Sequence, residues 1–160
     1  MYNFQEKKEI NVFGFKTDAG VAYEVTFSPM EFIFDDENAL KINIYELSIN
    51  LVTKLEDLPP KDEKIEMTIV QIVRHFFQNE PLNFEVFHVS NIDKKVISRR
   101  RLFSNWFEKH NNDFLERFEK IIEDKSEIFY ISLILRTDNS LKSDIIDFFA
   151  NWIDDTNAIK

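Results

Sequence analysis

The 160-residue chain has no cysteine and only two glycines. The missing thiol excludes disulfides, thiolate nucleophiles and Cys-based zinc or iron–sulfur sites. Gly14 and Gly20 are wrongly spaced for the phosphate-cradling G-x-x-x-x-G-K-[ST] and G-x-G-x-x-G loops, and for the G-x-S-x-G nucleophile turn. No apolar run approaches the roughly 20 residues that span a bilayer. The start, MYNFQEKKEINV, lacks the apolar stretch of a signal peptide, so a cytoplasmic protein with no membrane attachment is expected. The three histidines, His75, His88 and His110, share no metal-ligand spacing, and the sequence calls for neither a metal nor another cofactor.

What is present is a globular balance: 44% apolar and 31% charged residues, with 17 phenylalanines that imply a bulky aromatic core. The length suits one domain with its own core. The net charge is −9, but Lys94, Lys95, Arg99, Arg100 and Arg101 place five cations and no acid within eight residues. The rest of the chain therefore carries −14, five units below the whole. Such a surface repels bulk nucleic acid and anionic lipid, and a polyanion could be met only at this one run.

Periodicity divides the chain into two styles. Up to about residue 56 it reads as antiparallel strands. In VAYEVTF, Val21, Tyr23, Val25 and Phe27 alternate onto one face, and the preceding NVFGFKTDAG supplies a partner strand and an Asp-Ala-Gly turn. EFIFDDE suggests a short strand, and ALKINIYELSINLV one long bulged strand or two short ones. Pro59-Pro60 then opens a helix over about 60–79, with Ile65, Ile69, Ile72, Val73 and Phe76 on one stripe. From about 82 to 154 a βαβα rhythm is expected: LNFEVFHVS as a strand, a helix from Ser98 to about Glu123, EIFYISLILR as a strand, and a helix capped by Ser140. Because IFYISLIL is apolar at every position but Ser132, this strand should be buried on both faces with helices on either side. A parallel crossover joining it to the FEVFHV strand is then expected. The prediction is a single α+β domain, 1–160, with N-terminal antiparallel strands continuing into a mixed sheet and three main helices.

The arginines raise a chemical question, since Arg99, Arg100 and Arg101 stand where a helix start already carries partial positive charge. On a helical wheel Arg99 falls between Phe103 and Trp106, directed inward, and Arg100 lies at the border of the apolar face. If the two C-terminal strands are parallel, their following loops meet at one sheet edge. Ser98, Asn91, Arg99, Arg100 and Arg136 are then candidates to bind an anion, with His88 and Asp93 as weak candidates for general acid–base work. The plainer reading pairs the arginines with acids of the same fold, such as Asp93 or Asp138, and it is preferred because structural ion pairs outnumber functional ones. Trp106, Phe107, Phe148, Phe149 and Trp152 sit at core spacing.

The run FEVFHVSNIDKKVISRRRLFSNWF, a strand, a polar loop with an aspartate, then R-x-R-L-F-x-x-W-F, resembles a family of small bacterial proteins, common in Bacteroidota, classified only as a domain of unknown function. The resemblance covers about residues 83–107. It departs from the family in the loop, where Asn91-Ile92-Asp93-Lys94-Lys95 has no glycine. It implies bacterial origin and carries no activity or site residues with it.

Two functions fit these observations. One is a non-catalytic binding protein whose partner is another protein, of the immunity, antitoxin or adaptor type. The other is a phosphate-recognising protein or enzyme acting on nucleotide or nucleic acid through an anion site at the start of the 98–123 helix. The first is preferred.

Overall fold

The computed structural model describes residues 1–30, 43–53, 62–89, 96–124 and 127–158. Its strands are β1 (Phe4–Lys7), β2 (Val12–Lys16), β3 (Ala22–Pro29), β4 (Ile44–Leu51), β5 (Phe84–Val89), β6 (Leu115–Asp124) and β7 (Glu127–Arg136). Its helices are α1 (Glu63–Asn79), α2 (Val96–His110) and α3 (Lys142–Ala158). The strands form one sheet in the order β1-β2-β3-β4-β5-β7-β6. The fold is α+β with three helices among the described residues, as the periodicity predicts.

The N-terminal hairpin forms as expected. Thr17, at its turn, accepts from the Val21 and Gly20 N–H groups, and Gly20 takes a φ of 82°, a left-handed conformation that suits glycine. β3 pairs antiparallel with β4, from Tyr23 opposite Leu51 to Pro29 opposite Tyr45. The short edge strand β1, which periodicity did not announce, pairs with β2. The EFIFDDE strand, the first part of ALKINIYELSINLV and the Pro59-Pro60 opening lie outside the described residues. α1 starts at Glu63, where the Asp62 carboxylate caps it by accepting from the Lys64 N–H at 2.9 Å.

Two expectations for the C-terminal half need correction. The helix from Ser98 does not reach Glu123: α2 ends at His110, Asn112 and Asp113 turn with positive φ, and Leu115–Asp124 is the strand β6. Asn111 fixes the break, since its side chain both accepts from the Leu115 N–H and donates to the Leu115 carbonyl. The added strand reverses the chain once more, so β7 runs antiparallel to β5, with Phe84 opposite Leu135 and Val89 opposite Tyr130. The parallel crossover occurs one unit earlier, joining β4 to β5 through α1.

Alternation distributes the core between the two faces. Ile131, Leu133 and Leu135 of β7 pack with Ile145 and Phe149 of α3. On the other face Phe13, Val25, Phe27 and Leu47 meet Ile69, Ile72, Phe76 and Phe77 of α1, with Trp106 and Phe107 of α2 alongside. The Phe27 and Phe76 rings stack with centroids 3.8 Å apart. β7 is thus covered on both faces, as its unbroken apolar run predicts. Among the described residues, no helix is long and apolar enough to cross a membrane.

Candidate functional site

The expected convergence of arginines at one sheet edge does not form. Because β7 is antiparallel to β5, Arg136 lies at the end of the sheet where β5 begins, opposite the end that leads to α2. Arg136 instead forks onto its own turn, donating to Asp138 at 2.7 and 2.6 Å, and lies over the Phe114 ring. The hydrogen bond from Arg136 holds the Asp138 carboxyl below the usual aspartate range. Arg100 reaches from α2 to β6, donating through Nε to Glu119 at 2.8 Å and through a second nitrogen to the same oxygen, over the Tyr130 ring.

Ser98 is an exposed residue of the first turn inside α2, which begins at Val96, so it does not cap the helix. Ser140 does not cap α3 as expected either: the Asn139 side chain accepts from the Leu141 N–H and donates to the Leu82 carbonyl. Asn91 and Asp93 lie outside the described residues, as do the side chains of His88 and Arg99; in backbone register His88 stands opposite Ile131.

His75 and His110 each join a helix to another element. His75 Nε2 stands 3.0 Å from a Glu6 oxygen on β1 and 3.0 Å from Asn79 Nδ2. His110 Nε2 lies 2.6 Å from Glu66 Oε1, which Lys109 also reaches at 3.0 Å. Burial pushes the Glu66 carboxyl up, but the bonds from His110 and Lys109 outweigh it and set its pKa below the ordinary value. Two turns further along α1, Arg74 donates to the carbonyls of His110 and Asn111. A cation at these last carbonyls complements the negative end of α2.

Between α1, α2 and the sheet lies a cleft of about 90 Å³. Leu47, Ile49 and Ile134 form its floor, Ile69 and Val73 line it from α1, and Phe103, Trp106 and Phe107 line it from α2. Among the described residues its polar lining consists of Arg74, His110, Asn111, Arg117 and Ser132. Arg117, on β6, donates to Ser104 Oγ at 3.0 Å and lies over the Phe107 ring. Trp106 and Phe107 are thus half-buried cleft walls as well as core neighbours. Arg74 and Arg117 carried no signal in the sequence, because the elements that face them are remote along the chain. Among the described residues no group of three or more His, Asp or Glu could hold a metal ion.

Residues 61–151 match the sequence profile of DUF6169, a family of unknown function. The chain belongs to the DUF6169 family. The matched region runs from the start of α1 into α3 and contains the arginines and aromatic residues of the cleft. No curated protein and no solved structure matches the chain.

Proposed function

We propose that this DUF6169 protein is a small, acidic, cytoplasmic protein of bacterial, Bacteroidota-type origin that works by binding another protein, in the manner of an immunity protein, antitoxin or adaptor, and without catalysis. The observation that carries the reading is the outward side of α2, where Ile97 is 60% and Leu102 44% exposed, with the exposed Arg101 between them. Ile121, 49% exposed on the edge strand β6, stands opposite Tyr130, whose ring Arg100 covers. Exposed apolar side chains interspersed with cations suit a partner that presents apolar groups among carboxylates. The engagement of Arg100 with Glu119, and of Arg136 with Asp138, supports binding over anion chemistry at those residues.

Panning a displayed random-peptide library on the full chain tests this. The expected result is enrichment of sequences that combine an apolar anchor with Asp or Glu, whose capture falls about tenfold on Leu102→Glu, an amount set by one lost apolar contact and one repulsive charge. Enrichment no greater than on the empty support, or equal capture by a folded Leu102→Glu, overturns the reading.

A further inference from the structure

The cleft under α2 lies apart from the outward face just described, and its lining is chemically unusual for this chain. The whole protein is acidic at −9, yet among the described residues the side chains that line the cleft include two arginines and a histidine and no carboxylate. Neither arginine is closely answered by an acid among the described residues. Arg74 donates to two backbone carbonyls. Arg117 donates to a serine hydroxyl and stays 4.0 Å from Glu119, a carboxylate already gripped by Arg100. Guanidinium groups beside an apolar, partly enclosed space favour a planar anion that can accept two parallel hydrogen bonds.

Size narrows the class. A cleft of about 90 Å³ is smaller than the roughly 150 Å³ apolar cavity that takes up benzene, so it takes in a short branched chain, or part of one ring, with the rest of the molecule toward the opening. We propose that the cleft is a binding site for a small apolar carboxylate, its hydrocarbon part between Val73 and Trp106 and its carboxylate at Arg74 and Arg117. The rival answer to these cations is internal. In register, Arg117 stands opposite Ile134 and Ile134 opposite Glu85, so the chain has an acid of its own in that row.

Titration of the isotope-labelled full chain with phenylacetate and 4-methylpentanoate, against 2-phenylethanol and 4-methylpentan-1-ol, separates the two by amide and indole N–H shifts. The expected result is that the acids move signals of α1 and α2, including Trp106, and bind about tenfold more tightly than the alcohols, as one charge-assisted contact allows. The preference should shrink toward unity in Arg74→Gln and Arg117→Gln, and Val73→Trp should abolish binding of acid and alcohol alike. Equal affinity of acid and alcohol in the wild type, no shifts at millimolar acid, or undiminished binding by a folded Val73→Trp overturns the proposal. Where a variant fails to fold, the acid-against-alcohol comparison in the wild type decides alone. Leu102→Glu lies outside the cleft and should leave the titration unchanged, so this result and the peptide selection can fail independently.

Discussion

Glu66 Oε1 lies 2.6 Å from Nε2 of His110, so one carboxylate of α1 grips the last residue of α2. From the same helix Arg74 grips the carbonyls of His110 and Asn111. α1 thus presents a negative group to the side chains and a positive group to the backbone of one helix end. Each charge is complementary to what it meets.

This clamp makes a pH prediction. The folded pKa of Glu66 is depressed, so its ionised form binds better in the folded state than in the unfolded chain. The resulting stability is fully present above the unfolded glutamate value of about 4.3 and is lost as the pH falls through the folded value. Glu66→Gln should therefore lower the unfolding free energy at pH 7 by about 1 kcal/mol, with a smaller deficit at pH 3. Urea unfolding of both proteins at the two pH values checks this. An equal deficit at both would mean that Glu66 contributes through packing and not through its charge.

The aromatic core predicts a sharp contrast along α1. Phe77 is completely buried, while Met67 on the same helix is 46% exposed. Phe77→Ala should cost about 3–5 kcal/mol, combining lost burial with an unfilled cavity. Met67→Ala should stay within about 0.5 kcal/mol of wild type. Urea midpoints at constant slope measure both.

Local patterns explain which parts of this fold can be read from its sequence. α1 was legible because its apolar stripe arises within one element, whereas the Asp62 cap at its start was not read. The burial of β7 on both faces was legible because Ile131, Leu133 and Leu135 alternate with residues of which only Ser132 is polar. The strand β6 was missed because Leu115 and Phe118 continue the helical spacing of Phe103, Trp106 and Phe107. The signal that could have found it is Asn111-Asn112-Asp113, three residues that favour turns and tolerate positive φ. That one error reversed β7 and removed Arg136 from the supposed anion site. The cleft could not be read at all, since Arg74, Trp106 and Arg117 come together only through the pairing of β6 and the packing of α1 against α2.

The two glycines should behave oppositely. Gly20 has φ of 82°, where a β-carbon is strained, so Gly20→Ala should destabilise by about 1 kcal/mol. Gly14 lies in β2, and a β-carbon there would meet nothing closer than the Tyr23 carbonyl at 4.0 Å. Gly14→Ala should be neutral or stabilise by up to about 1 kcal/mol, because it restricts the unfolded chain. Thermal midpoints of the two variants should move to opposite sides of wild type, or the Gly14 variant should stay level with it.

The ion pair between Arg100 and Glu119 sets a limit on what the arginine run contributes to stability. The Arg100 side chain is 41% exposed, so solvent screens the pair even though Glu119 is only 18% exposed. The hydrogen bonds that Arg100 donates to Glu119 raise the Arg100 pKa, which leaves the guanidinium charged at every pH of interest. A double-mutant cycle with Arg100→Met and Glu119→Gln should therefore give a coupling below about 1 kcal/mol that declines in high salt. A coupling above this bound that persists in salt would show that the Tyr130 ring, 4.6 Å from the guanidinium carbon, shields the pair from water. A weak, salt-sensitive coupling is the result that leaves Arg100 free to exchange Glu119 for a carboxylate on a partner.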